Sequence, residues 1–325
     1  MIVPQYWSES KTKQIVDGKQ FTVKRFGWSD VSELDAKAHA DQRLDEALKE
    51  LKENGNVRRI DHKVSYNGAE GIPIREEVVD KHDDIVISRN SYGALCLNTP
   101  DVFFADIDFK FEASTKFSFL VFIVLATIAS GAAFIASSWL VLAITIFFSA
   151  VYSPELARKI HLSGVKKKGG FERESLENIQ SLAVSHPELN LHVYKTPNGL
   201  RVLILNSTYS PRSATAIELL TKLDSDKTYI QMCKNQNCFR ARLTPKPWRI
   251  GVVRLRPTPG VWPVKPEWLK DRSAWIKEYE EASRNYASCL FLTHFGSNDI
   301  DEKAAKVKKL HDELCRALHT ELEIA

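Results

Sequence analysis

The longest hydrophobic segment of the chain runs from residue 117 to residue 152 without a single Asp, Glu, Lys, Arg or His. It contains thirty-six residues, whereas about 20 helical residues are enough to cross a hydrocarbon core of roughly 30 Å. Small and polar residues at its centre, Ser130-Gly131 and Ser137-Ser138, indicate a turn. We therefore predict a transmembrane hairpin of two short helices, over residues 117–134 and 138–152. A buried helical hairpin in a large soluble core is the alternative.

Basic residues flank this segment on both sides. Lys110 and Lys116 precede it, and Arg158, Lys159 and residues 166–168 follow it. Positive charge is retained on the cytoplasmic side of a membrane. The pattern predicts a multi-pass protein of the inner (cytoplasmic) membrane, with both soluble parts in the cytoplasm. The lipid bilayer is then its first partner, and the basic stretch is expected to touch lipid headgroups.

The part of the chain before the hydrophobic segment shows strand and helix patterns in turn. A helix capped by Ser29 is predicted to run to about residue 52, because apolar residues recur every three or four positions and Gly55 follows. Alternating or apolar runs between turn residues indicate strands. The predicted strands cover residues 20–26, 64–66, 72–79, 85–88, 94–97 and 102–109.

The part after the hydrophobic segment continues in the same mixed manner. Predicted helices cover residues 171–183, 213–223, 227–236, 267–284 and 300–322, and predicted strands cover 191–195, 200–205, 239–243, 249–255 and 288–294. Such a mixture is typical of an α+β fold. We predict one mixed-sheet domain in two halves, residues 1–116 and 153–325, with the transmembrane hairpin of residues 117–152 inserted between them.

Charge and cysteine content narrow the function classes. The chain has 325 residues with 45 basic and 41 acidic side chains, a formal net charge of +4, which excludes the strong basic excess of a dedicated duplex-DNA binder. Its five cysteines are scattered and odd in number, which favours reduced thiols in a cytoplasm. Cys233 and Cys238 lack a second pair, so no zinc site is predicted there. His294 and His311 are predicted to be structural or surface residues, since the sequence places no acidic partner beside them.

The strand predicted over residues 102–109 ends in two carboxylates. Asp106 and Asp108 are two positions apart, and such side chains point to the same face of a strand. Carboxylate oxygens are ligands that Mg²⁺ and Mn²⁺ accept. The pair therefore predicts a divalent cation site, for Mg or Mn, of the kind used in phosphate chemistry. The alternative is that both acids lie in water next to Lys110 where the strand leaves the sheet.

Five basic residues are candidates for binding phosphate or nucleic acid. Guanidinium forks match phosphate oxygens, and the neighbouring Phe239 and Trp248 could offer flat surfaces for bases. A solvated basic edge strand, protected from aggregation by its charge, is the alternative. The five are Arg201, Arg240, Arg242, Lys246 and Arg249.

Two blocks of the sequence resemble the archaeo-eukaryotic primase and primase-polymerase superfamily. The first is GALCL at residues 93–97 with VFFADIDF at 102–109, and the second is YKTPNGLRVLIL at 194–205. In that superfamily a strand ending in DxD binds metal, and a T-P-x-G hairpin leads to a strand with a catalytic histidine. The resemblance implies a domain that binds metal and nucleotides or nucleic acid, with Asp106 and Asp108 as the metal ligands and as catalytic residues.

The second block departs from the superfamily at one functional position. Val202 stands where the histidine would fall, and residues 249–257 contain no third acid. The resemblance therefore implies the fold and a binding site, with a catalytically degenerate site as one outcome. The chain is also similar, in RFGWSD at 25–30 and CFRARLTPKPWR at 238–249, to an uncharacterised family of bacterial predicted membrane proteins.

Three functions are consistent with these patterns. The first is a membrane-anchored cytoplasmic protein with a primase-like nucleotide-binding domain, a metal-dependent nucleotidyltransferase if it is active. The second is a non-enzymatic membrane interaction or scaffold protein. The third is a membrane glycosyltransferase that holds a nucleotide-sugar through DxD and metal, although the polar start of the chain lacks the apolar strand with which such enzymes begin.

Overall fold

The computed structural model describes residues 3–62, 69–255 and 262–325. The chain divides into two compact units: the first contains Met1–Ile107, Leu182–Pro197 and Arg201–Ala325, and the second contains Asp108–Ser181 and Asn198–Leu200. The predicted mixed α+β class is confirmed, since the described part contains eight α-helices and four sheets. The strand predicted at residues 64–66 lies outside the described residues.

The strands, in chain order, are β1 (Tyr6–Val16), β2 (Lys19–Ser29), β3 (Glu77–His82), β4 (Ile85–Arg89), β5 (Leu95–Thr99), β6 (Phe104–Asp108), β7 (Asn190–Thr196), β8 (Gly199–Ile204), β9 (Phe239–Arg242), β10 (Tyr286–Ala287), β11 (Leu290–Gly296) and β12 (Glu323–Ile324). The helices are α1 (Glu33–Asn54), α2 (Thr115–Ala136), α3 (Trp139–Lys167), α4 (Phe171–Ser185), α5 (Ala214–Lys222), α6 (Lys227–Gln236), α7 (Leu269–Ser283) and α8 (Glu302–Cys315).

The chain begins with a long antiparallel hairpin covered by the first helix. β1 pairs with β2 from Tyr6 opposite Ser29 to Val16 opposite Lys19. The N-cap of α1 is Ser32, not the predicted Ser29, and its side chain accepts a hydrogen bond from Asp35 N. Gly55 ends the helix in the left-handed conformation, φ 66°, which glycine adopts at little cost. A small apolar core closes this part of the first unit: Phe21, Val23, Leu44, Ala47, Leu51 and Val57.

Two four-stranded sheets form the rest of the first unit's framework. One has the order β3-β4-β5-β9 with antiparallel neighbours, and the other has the order β11-β7-β8-β6. β10 and β12 make a short parallel pair. Helix α8 lies against the second sheet, where His311 packs on Tyr194 of β7 with ring centroids 4.7 Å apart.

Two predictions for the C-terminal half are wrong. Residues 249–255 form no strand; Pro247–Arg249 is a 3-10 turn, and Gly251 follows with φ 78°, a conformation that breaks an extended strand. The closing helix, predicted to reach residue 322, ends at Cys315, because Arg316 takes a left-handed conformation at φ 55°.

The hydrophobic segment forms helices α2 and α3 of the second unit. α3 is long and apolar enough to cross a membrane. The mean hydropathy of its most apolar stretch is 1.7, and 17% of that stretch is buried. The apolar part of α2, Thr115–Gly131, is shorter than the length required of a candidate span. Among the described residues one helix thus meets the requirement for a span, and the predicted multi-pass arrangement of two spans is not supported.

Candidate functional site

Asp106, the first predicted metal ligand, is half-buried on β6. Its carbonyl oxygen accepts hydrogen bonds from Ser225 Oγ at 2.9 Å and from Asp226 N at 3.0 Å, which ties β6 to the start of α6. Burial lowers the pKa of Arg201 and of Arg242, but negative groups that include Asp106 outweigh burial and raise both values. Cys289 is the stronger of these influences on Arg201 and Tyr92 the stronger on Arg242, and Asp106 adds to both.

Asp108, the second predicted ligand, is exposed at the end of β6 and belongs to the second unit. In the part of the chain that the structure describes, neither Asp106 nor Asp108 belongs to a group of three side chains placed to share a metal ion. A carboxylate pair alone leaves most positions around a Mg²⁺ ion to water or phosphate.

Arg240, a predicted phosphate ligand, is an internal residue of the first unit. Its Nη2 lies 2.6 Å from Glu76 Oε2, and the two side chains are only 8% and 4% exposed. Glu76 Oε2 also accepts from Ser88 Oγ at 2.7 Å. The guanidinium thus has a buried carboxylate as its counter-ion.

Arg201 and Arg242, two further predicted phosphate ligands, meet between the sheets. Arg201 is 3% exposed, and its Nη1 donates to the carbonyl oxygen of Arg242 at 2.9 Å. Burial lowers the pKa of Arg242, and Tyr92 is the neighbour that most strongly raises it. Both arginines stabilise the interior of the unit through these contacts.

The last two predicted basic ligands lie near an exposed aromatic residue. Lys246 Nζ is 5.7 Å from the ring centroid of Trp248, which is 43% exposed, and Arg249 ends the Pro247–Arg249 turn. Phe239, by contrast, is fully buried with its ring 5.0 Å from that of Phe103. The prediction that Phe239 offers a stacking surface for bases is therefore wrong, whereas Trp248 has an accessible face.

The sequence did not predict a cluster formed by Cys289, His311 and Cys315. The three ligating atoms of these side chains lie within 4.8 Å of one another, and all three residues are buried. Cys289 precedes β11, while His311 and Cys315 are four positions apart on one face of α8. Cys289 Sγ is 3.8 Å from His311 Nε2. This Cys–His cluster is the group of side chains, among those described, that is best placed to hold a soft metal ion.

Arg201 lies directly against the Cys–His cluster. Its Nη1 is 3.1 Å from His311 Nε2, and 4.0 and 3.9 Å from the sulfurs of Cys289 and Cys315. A guanidinium can only donate, so Nε2 accepts and the imidazole proton is on Nδ1. Nδ1 in turn lies 3.0 Å from Asp312 Oδ1. The two neighbours fix the tautomer of His311.

The electrostatics of the Cys–His cluster separate its two thiols. Burial raises the pKa of Cys289, and its hydrogen bond with Cys315 raises it further. Burial also opposes ionisation of Cys315, but its neighbours Cys289, His311 and Arg201 hold the pKa of Cys315 well below its ordinary value. The two sulfurs therefore differ in their tendency to ionise.

The sequence carries only part of the signal for the Cys–His cluster. His311 was expected to lack an acidic partner, yet Asp312, the next residue, provides one. The local signal was the spacing of His311 and Cys315, which places both on one helix face. The third ligand comes from a different element, and no local pattern connects it to the other two.

No protein-family description, curated protein or solved structure matches the chain.

Proposed function

We propose that the chain is a membrane-anchored protein whose α+β unit lies in the cytoplasm and binds a ligand or partner without catalysing a reaction. The observation that carries the proposal is the exposure of apolar side chains on α2 and α3. Phe119, Ile128, Leu140 and Phe147 are 60%, 64%, 71% and 64% exposed. So extensive an apolar surface is stable in hydrocarbon and not in water.

Two further features support a hairpin anchor that returns to the side from which it entered. Residues 137 and 138 alone separate α2 from α3, and the two helices pack against each other. Basic residues follow the apolar part of α3, including Lys166 and Lys167 in its last turn. Both soluble parts then remain in the cytoplasm.

The anchor and its orientation are tested together by fractionation and topology reporters. We expect the full chain to stay in the membrane pellet after alkaline carbonate treatment. A fluorescent-protein fusion at either end should be fluorescent, and an alkaline phosphatase fusion at residue 137 should be active outside the cytoplasm. Extraction by carbonate would overturn the anchor, and termini on opposite sides would replace the hairpin by one span.

A binding role without catalysis is supported by the surroundings of the predicted site. Arg201 and Arg240 are buried and have internal partners. Val202, at the position where the primase-like resemblance would place a histidine, is 0% exposed. A substrate phosphate would have to displace existing contacts to reach either guanidinium.

A second candidate function is metal-dependent nucleotide binding at Asp106 and Asp108, as the primase resemblance implies. It is favoured by the electrostatic coupling of Asp106 to Arg201 and Arg242. Thermal stability of the purified protein would be measured with Mn²⁺ or Mg²⁺ and each of the nucleoside triphosphates. A shift that requires metal and disappears in Asp106→Asn/Asp108→Asn would establish it. A shift with a UDP-sugar only would indicate a glycosyltransferase. No shift with any of these ligands would indicate that the α+β unit does not bind nucleotides.

A further inference from the structure

The Cys–His cluster has no part in the membrane anchor, and it adjoins the predicted nucleotide site at Arg201. We propose that Cys289, His311 and Cys315 form a three-ligand site for one thiophilic metal ion, and that this ion is monovalent copper.

The spacing of the three donor atoms suits direct ligation. Metal–sulfur and metal–nitrogen bonds of about 2.3 and 2.0 Å, the lengths found for zinc, place S and N about 3.7 Å apart in a trigonal plane. Cys289 Sγ and His311 Nε2 are 3.8 Å apart. The ligands need little movement to close on an ion, because the backbone around them is already fixed: Ser288 N donates to Cys315 O at 3.1 Å, and Ser288 Oγ donates to Leu243 O at 2.8 Å.

His311 is oriented as a metal ligand would be. Its Nδ1 lies 3.0 Å from Asp312 Oδ1, and this carboxylate is held by Lys308 Nζ at 2.8 Å. A carboxylate on the distal nitrogen fixes the ring and strengthens the ligating nitrogen, as it does in many metal sites. An ion bound here would take over the lone pair of Nε2 from Arg201 Nη1, which lies 3.1 Å from it.

The position of Arg201 favours a metal site with three protein ligands over one with four. Its Nη1 lies within 4.0 Å of all three donor atoms, so it covers one face of the triangle that they form. A guanidinium has no lone pair to give to a metal. Structural zinc sites are almost always four-coordinate, whereas thiolate-rich sites also select Cu(I), an ion for which three ligands are sufficient.

The charge of the site also favours a monovalent ion. Ligation requires both cysteines as thiolates, which gives −2; Arg201 contributes +1, and the paired charges of Asp312 and Lys308 cancel each other. Cu(I) brings this sum to zero, whereas Zn²⁺ would leave an uncompensated positive charge in the interior, which is costly. Each thiol that ligates releases its proton to solvent, and no electron is transferred.

The test uses the full-length protein in detergent micelles, reduced and free of oxygen. Copper(I) alone is offered in competition with bathocuproine disulfonate, and we expect one equivalent to be retained. X-ray absorption at the copper edge should report two sulfurs and one nitrogen. Cys289→Ser and Cys315→Ser should each lose the equivalent, whereas Cys233→Ser, a buried thiol outside the cluster, should retain it as the matched control.

Two more variants test the positioning residues. Asp312→Asn should weaken copper binding by about 10- to 100-fold, as loss of an outer carboxylate does elsewhere. Arg201→Met should shift the preference towards Zn²⁺, because it removes the positive charge and uncovers one face of the triangle.

Three results would overturn the proposal. The first is a wild-type protein that retains no more copper than Cys289→Ser/Cys315→Ser. The second is a wild-type protein that binds Zn²⁺ at the cluster in preference to Cu(I). The third applies even if the cysteine variants fail to fold: an absorption spectrum of the wild-type complex with fewer than two sulfur ligands.

Discussion

At the residue scale, Arg240 shows how a side chain suited to phosphate can serve the interior instead. Its partner Glu76 lies 2.6 Å away, and both side chains are almost fully buried. Glu76→Gln would leave the guanidinium buried without a counter-ion, so we expect a loss of about 3–5 kcal/mol in the free energy of unfolding. Denaturant unfolding of the purified protein measures it.

Glu302→Gln is the matched control for this substitution. Glu302 pairs with Lys306 at 2.8 Å, but the two side chains are 87% and 63% exposed, and exposed pairs contribute little. No measurable change is expected. Equal effects of the two substitutions would mean that Arg240 does not need Glu76 as a counter-ion. Its guanidinium would then again be a candidate for binding phosphate.

His192 gives a pH dependence whose direction follows from its surroundings. Burial, with Lys308 and His294 nearby, lowers the pKa of His192 to about 4, whereas a histidine in an unfolded chain has a pKa of about 6.5. At pH values between these two, His192 binds a proton in the unfolded chain but not in the folded chain. The free energy of unfolding therefore falls as the pH is lowered from about 6.5 to about 4.

Unfolding curves at a series of pH values, compared with those of His192→Gln, measure this effect. The variant should lose part of the slope between pH 6.5 and 4, since it has no group to titrate there. The exposed His82→Gln is the matched control for removing a histidine. An unchanged slope in His192→Gln would contradict the assignment.

At the scale of elements, prediction succeeded where the local signal was complete. α6 lies at the predicted residues, and β7 and β8 lie within one residue of the predicted strands, because turn residues bound these segments on both sides. β1 was missed, since YWSESKTKQIV is mostly polar and forms a strand only by pairing with β2. The strand predicted at 249–255 failed because apolar alternation alone does not report a turn before Gly251.

The packing of α1 on β2 depends on the absence of a side chain at residue 27. A Cβ at Gly27 would overlap the backbone N of Ala40 and the backbone O of Ala36, and would lie 2.7 Å from Ala40 Cα. Gly27→Ala must push the helix off the hairpin, and overpacking of this kind costs about 1–3 kcal/mol. A lower melting temperature is expected.

Gly164→Ala is the control for the substitution at Gly27. An added Cβ at Gly164 of α3 meets no atom within 4 Å, and alanine favours helix over glycine. Its melting temperature should equal or exceed that of the wild type. If Gly27→Ala behaved in the same way, close contact between α1 and β2 would be disproved.

At the scale of the whole molecule, the sequence does not encode how far the predicted site residues are buried. Asp106 contributes to the raised pKa of Arg201 and of Arg242, and Arg201 donates a hydrogen bond to the carbonyl oxygen of Arg242. Their burial depends on how two sheets and α8 pack, and no pattern within one strand encodes that. The Cys–His cluster was unpredictable for the same reason, because it forms only when α8 meets the segment before β11.

The orientation of the proposed anchor is a property of the whole chain that charge alone can alter. Lys166, Lys167 and Lys168 follow the apolar part of α3, and each basic residue near an anionic membrane surface contributes about 1 kcal/mol. Replacing all three by Gln should reduce the fraction of molecules whose C-terminal half is cytoplasmic, measured with the C-terminal fluorescent fusion. Replacing Lys11, Lys13 and Lys19 of the N-terminal hairpin is the matched control, since residues more than about 20 positions from a span have little effect on topology. Equal fluorescence in the two triple variants would show that the flanking charge does not orient the anchor.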